Sequence, residues 1–181
     1  MTMRMFQIST PMLNYKHEKT EQIILGIDPG YADMGYGLIS RSCGRDRCLA
    51  YGSLRTAAGA PTGERLQDIH DGLVKLITEF HPDQAAVERL FFSRNAKTAI
   101  PVAEARGVIL LCLTQQGVSC IEFSPAEVKM AVCGHGRADK TEMQKMVQIL
   151  LRLEQLPRPD DAADALALAL ALASTNVPIM V

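Results

Sequence analysis

Tryptophan is missing from the 181 residues, and Phe and Tyr bring the aromatic share to only 5%. Any core must therefore be filled by aliphatic side chains, and paired aromatics stand out. Excess charge is missing too: 19 basic and 20 acidic residues leave a formal net charge of −1. That excludes the globally basic surface of many nucleic-acid binders, so any affinity for DNA must rest on local patterning. Long apolar runs are absent. The longest, Ala165–Ala173, falls far short of the ~20 residues that span a bilayer, and residues 1–21 lack the apolar core of a signal peptide. The five cysteines, Cys43, Cys48, Cys112, Cys120 and Cys133, form no C-x-x-C and have no histidine pair beside them. This argues against zinc. Cys43 and Cys48 bracket a polar turn across which they could meet, but reduced thiols in the cytoplasm are expected.

What is present is an ordinary globular composition, 48% hydrophobic and 22% charged, ample for one domain with a real core. We expect a domain over residues 22–175, a flexible extension over 1–21 and a tail over 176–181. A start codon nearer Glu21 is the alternative account of the extension. Ile23–Ile27 has the β-branched density of a buried central strand. It closes on Asp28 and turns at Pro29-Gly30. Met34–Ser40, carrying Gly35 and Gly37, returns as a second strand, and Cys48–Arg55 follows as a third.

Leu66, Ile69, Leu73, Leu76, Ile77 and Phe80 recur at helical spacing, with Thr62 as N-cap and His81-Pro82-Asp83 as the stop. Gln84–Leu90 reads as a strand interrupted by Glu88. The next helix, ending at Gln116, is expected to start near Thr98 or else to kink, because Pro101 is harmless only in a first turn. Ser119–Phe123 is the fifth strand. Pro125–Val132 and Lys140–Leu153 are helices around a flexible basic loop, Gly134–Asp139. Asp160–Ser174 is a helix apolar on nearly all sides, since Ala favours helix despite the alternating Leu. Three hairpin-linked strands at the start imply a mixed sheet, not a doubly wound one.

The chemistry lies in isolated acids. A lone D-P-G would pass for a turn-capping aspartate, but a dry, unpaired carboxylate ending a buried strand costs several kcal/mol. Glu88 interrupts a second apolar strand. Asp161 and Asp164, three apart, project from one face of the last helix. Asp160 reads as an ordinary helix-start acid. The four carboxylates Asp28, Glu88, Asp161 and Asp164 would repel one another unless a cation gathers them. Hard oxygen donors suit Mg²⁺ or Mn²⁺. Two such ions ~3.5–4 Å apart activate a water and stabilise the leaving oxygen in phosphoryl transfer.

In order along the chain stand G-I-D-P-G at Gly26–Gly30, G-Y-G at Gly35–Gly37, V-E at Val87–Glu88 and A-R-G at Ala105–Gly107. V-K at Val128–Lys129, G-H-G-R-A-D-K at Gly134–Lys140 and D-A-A-D-A-L-A at Asp161–Ala167 complete the series. This series resembles the RuvC family of Holliday-junction resolvases. The resemblance implies an α/β, RNase H-like fold with a mixed five-stranded sheet flanked by helices. It also implies a homodimer that resolves four-way junction DNA by paired, Mg²⁺-dependent nicks, and, by resemblance only, a branch-migration motor as partner. Carried over, the metal-binding and catalytic acids are Asp28, Glu88, Asp161 and Asp164. Phe91 is the aromatic that stacks on bases near the crossover, and Lys129 and Lys140 serve the DNA and the active site.

Arg89, Arg94, Lys97 and Arg106 make the stretch around Phe91 locally positive, which suits salt-dependent phosphate contact. Arg94 and, in the basic loop, Arg137 are further candidates for DNA, and His135 reads as a polar loop residue. The helix Thr98–Gln116 is the expected dimer surface. Its stripe of Ala103, Gly107, Leu110, Leu111 and Thr114 is joined by further apolar residues, so it is apolar on more than one face. Competing readings are an RNase H-fold nuclease acting on structured RNA, a non-cleaving junction-binding module, and one lobe of an actin-like ATPase or sugar kinase.

Overall fold

The computed structural model describes residues 21–89 and 96–175. The expected extension and tail lie outside the described residues, apart from Glu21, and so do Phe91, Phe92 and Arg94. Five strands form one sheet in the order β3-β2-β1-β4-β5. β1 (Gln22–Asp28), β2 (Asp33–Ser42) and β3 (Arg45–Arg55) form an antiparallel meander, and β4 (Gln84–Glu88) and β5 (Ser119–Phe123) add in parallel beside β1. The expected mixed sheet is borne out. Its two faces are covered by different helices. Leu25, Ile27, Leu38, Ala85 and Val87 pack with α1 (Thr62–Phe80) and α2 (Ala96–Gln115). Ile24, Ile39, Ala86 and Phe123 pack with α3 (Pro125–Cys133), α4 (Lys140–Leu151) and α5 (Asp160–Ser174).

This division follows from the period of two along each strand. β1 sends Ile24, Gly26 and Asp28 towards α5, and Leu25 and Ile27 towards the other layer. β4 likewise puts Ala86 and Glu88 on the α5 side. With Ile27 paired to Val87 in the parallel register, the acids of β1 and β4 that follow them share a face. α5 is buried from Ala165 to Ala173, as a helix apolar all round must be.

Several local expectations are corrected. Thr62 is the first helical residue of α1. Pro61 holds the N-cap position without a side-chain bond, and the Thr62 hydroxyl instead accepts from Tyr31 at 3.1 Å. α2 does not begin near Thr98; it is under way at Ala96 and carries Pro101 inside it. Proline forfeits one intrahelical bond there, and the burial of Ala105, Ile109, Cys112 and Leu113 further along holds the helix in place. α4 stops at Leu151, where Arg152 adopts a left-handed cap with φ 52°. α3 starts with a capping box: the Ser124 hydroxyl accepts from the Glu127 N–H, and the Glu127 carboxylate accepts from the Ser124 N–H. The cysteines are free: Cys43 is exposed, and Cys48 packs partly buried against the α5-side core.

Candidate active site

The site depends on how closely α5 approaches the sheet. A Cβ on Gly26 would collide with the backbone of Ala165, and one on Gly35 with the backbone of Asp161; one on Gly37 would lie 2.7 Å from the Leu166 nitrogen. All three glycines face α5, and only because they lack side chains can its backbone lie directly on β1 and β2. The alanines of α5 make the matching surface. This close seat lowers the first turn of α5 onto the end of β1.

As a result the carboxylates of Asp28, Asp161 and Asp164 each offer an oxygen, and these lie within 4.8 Å of one another. Burial, reinforced by the negative fields of Glu88, Asp164 and Asp161, pushes Asp28 from 3.8 up to about 8. Burial also raises the pKa of Glu88, helped by Asp164. Asp164 is raised chiefly by burial, against the lowering effect of Lys140. Burial and the neighbouring Asp33 raise Asp161. Such unbalanced negative charge on hard oxygen donors fits a divalent cation. Glu88 stands at the edge of this trio: it is not one of the three gathered acids, but it lines the adjoining cleft with Asp164.

That cleft has a volume of about 190 Å³, and its polar rim is Glu88, Asp164, Lys129 and Lys140, backed by Val128, Met143 and Leu168. Lys140 Nζ lies 3.6 Å from Asp164 Oδ2 and 3.3 Å from Asp160 Oδ2. Desolvation works against its charge, but Asp164 and Asp160 outweigh it and hold its pKa above the ordinary value. Glu88, Asp164 and both lysines thus line the cleft, and Asp164 also belongs to the trio that it forms with Asp28 and Asp161. Arg137 is exposed in the turn between α3 and α4, apart from the cleft-lining side chains. His135 Nε2 in that turn meets Glu142 Oε1 at 2.9 Å. Phe91 and Arg94 lie outside the described residues.

Two residues have partners that sequence reasoning did not foresee. Arg106 does not belong to an exposed basic patch. It is half-buried, pairs with Glu122 of β5 and donates from Nε to the Glu88 carbonyl at 3.3 Å. It ties α2 to the end of β4, from which the Glu88 side chain projects. Asp160 stands in the first turn of α5, as a helix-start acid should, but its oxygens engage Gln144, Arg158 and Lys140. Sequence reasoning also passed over Asp33, which flanks Asp161 and pairs with Arg55 at 3.0 Å. Its signal was weak, because an acid just after a D-P-G turn is unremarkable.

Comparison with known proteins extends this reading. A model of the family described as Crossover junction endodeoxyribonuclease RuvC matches residues 24–172. A protein of that name from Moorella thermoacetica is 52% identical over 152 residues, 84% of this chain and 91% of that protein. One from Chloroflexus aggregans is 52% identical over 151 residues, 83% of this chain and 92% of that protein. The solved structure of Thermus thermophilus RuvC in complex with Holliday junction substrate superposes with a TM-score of 0.80 at 36% identity, covering 84% of this chain and 93% of that one. A match that runs from the first strand to the last helix, at about half identity, makes this chain a member of the RuvC family of crossover junction endodeoxyribonucleases, with the RNase H-like fold.

Proposed function

We propose that this nuclease resolves four-way DNA junctions in the cytoplasm, cutting two opposed strands with Mg²⁺ held by Asp28, Glu88, Asp161 and Asp164. The observation that carries this reading is the meeting of three carboxylates within 4.8 Å on elements that are otherwise apolar, beside a cleft rimmed by two lysines. Bound divalent metal supplies activation of the attacking water and charge neutralisation at the cut phosphate. The chain's own residues do the rest. Lys129 and Lys140 meet the backbone phosphates of the strand in the cleft. Val128, Met143 and Leu168 wall the cleft and limit water at its base. Phe91, two residues past the Arg89 that follows β4, stacks on bases near the crossover.

Two opposed nicks call for two copies of this single site. The outward side of α2 supports a homodimer: Ile100 and Leu111 are 67% and 56% exposed, and between them Gly107 faces open space. Ile109, Cys112 and Leu113 bury the opposite side of the helix in the chain's own core. A two-fold, isologous contact along the outer strip would set two identical clefts against a two-fold junction.

The test is incubation with a synthetic mobile four-way junction, with Mg²⁺ and with chelator, beside linear duplex and structured RNA. Paired nicks in the junction that need the metal are expected. Cleavage independent of metal, or preference for the RNA, would overturn the proposal.

A further inference from the structure

Asp160 opens α5, where an aspartate ordinarily caps the helix, yet Pro159 holds the N-cap position and no side-chain cap bond is made. Its two oxygens serve different neighbours. Oδ1 accepts from Gln144 Nε2 at 3.0 Å and from Arg158 at 2.8 Å. Gln144 is a buried amide on α4, 7% exposed, so this half of the carboxylate fastens α4 to α5. Oδ2 faces the Lys140 ammonium at 3.3 Å. Lys140 has a second anchor in Asp164 at 3.6 Å. The ammonium at the rim of the cleft therefore bridges two carboxylates one helical turn apart on α5.

These anchors are not equivalent. Asp164 is one of the three acids whose oxygens gather, and Asp160 is not. A dication held by Asp164 would draw on the carboxylate charge that Lys140 now shares and would repel the ammonium. Asp160 lies outside that group and keeps its hold. We propose that Asp160 is a positioning residue that retains the Lys140 ammonium at the cleft once metal occupies the neighbouring acids, leaving it aimed at a backbone phosphate. This rests on the nuclease reading above, and it gives the first acid of D-D-A-A-D a task separate from metal binding.

The first measurement needs no cleavage. Full-length protein saturated with Mn²⁺, without DNA, is treated with limiting acetylating reagent, and Lys140 acetylation is followed by mass spectrometry. A carboxylate-held ammonium gives up its proton reluctantly, so Lys140 should acetylate at least ~3-fold more slowly in the wild type than in Asp160→Asn. Asn keeps an oxygen for Gln144, so the variant should melt close to the wild type. On junction DNA its kcat should fall ~10-fold with KM nearly unchanged, and in a Lys140→Met background it should cost nothing further, as expected for residues acting as one unit.

Gln144→Leu removes only the fastening half; it should lower the melting temperature and spare kcat and the acetylation rate. Equal acetylation in the wild type and Asp160→Asn, multiplicative losses with Lys140→Met, or a kcat loss in Gln144→Leu matching that of Asp160→Asn would each overturn the proposal. A wild type that cut no junction would instead overturn the nuclease reading, leaving the acetylation comparison to decide the role of Asp160.

Discussion

Replacing Asp28 with Asn is expected to make the metal-free protein more stable while abolishing cleavage. Folding without metal places the Asp28 carboxyl in a partly dry site beside three other acids, which raises its pKa from 3.8 to about 8. At pH 7 the unfolded chain ionises it and the folded chain keeps it protonated. At 1.36 kcal/mol per unit between the unfolded pKa and pH 7, that penalty is on the order of 4 kcal/mol. The acids share the repulsion and relax together, so one substitution recovers less, about 2 kcal/mol, or about 4–8 °C in melting temperature for a domain of this size. The sign follows from the direction of the shift: a raised pKa means that the folded state binds the proton more tightly. The group's penalty is thus absent below about pH 4, grows as pH rises towards about 8, and levels off above. Asn has no such titration, so the variant's advantage should widen across that window.

Calorimetry of both proteins in chelator from about pH 5 to 9 tests this, together with scans in Mg²⁺, where the wild type should gain more than the variant. Junction binding should survive the substitution, because phosphate contacts do not need the ligand. A variant no more stable than the wild type at the alkaline end, in chelator, would refute the claim that Asp28 carries the unrelieved charge.

Three further outcomes are expected. Gly37→Ala places a Cβ 2.7 Å from the Leu166 nitrogen, so α5 must move off the sheet; a loss of about 1–3 kcal/mol in stability and slower nicking should follow, and unchanged melting would mean that the helix has slack. A Cβ at Gly107 has no neighbour within 4 Å among the described residues, so Gly107→Glu should fold within about 0.5 kcal/mol of the wild type, yet sediment as a monomer and make uncoupled nicks. A wild type that sediments as a monomer at micromolar concentration and still makes paired nicks would end the dimer proposal. Phe91→Ala should cut junction cleavage with little change in melting temperature, since stacking on a base is worth ~1–3 kcal/mol; a stability loss of ~3–5 kcal/mol would return the ring to the core.

Much of the fold was legible because local pattern and final environment agree. The β-branched run before Asp28 became the central strand, and the Ala-Leu alternation became a helix over Asp160–Ser174 with the expected ends. Helix starts were less legible. Ser124 and Glu127 show the spacing of a capping box in plain sequence and passed unnoticed, whereas Pro101 misled in the opposite direction, because tertiary burial further along α2 outweighs one lost hydrogen bond. Arg106 looked like one more exposed cation, and nothing local announces that Glu122, on a different strand, will neutralise it.

The sequence by itself determined which acids are out of place. A carboxylate on an apolar strand or a buried helix is anomalous wherever it ends up, so Asp28, Glu88, Asp161 and Asp164 stand out from the residue pattern alone. The period of two fixed which neighbours each strand acid shares a face with, but the parallel register of β1 and β4, with Ile27 beside Val87, is what puts Asp28 and Glu88 on one side of the sheet. Only the tertiary structure decided how near they come and which neighbour each one meets. The distance is set by backbone touching backbone at Gly26, Gly35 and Gly37, a contact between segments more than a hundred residues apart in the chain. The difference between Asp160 and Asp164 was settled there too. Both stand in the first turns of one helix, but the rotation of that helix against β1 turns Asp164 into the acid group and leaves Asp160 to hold α4 and Lys140.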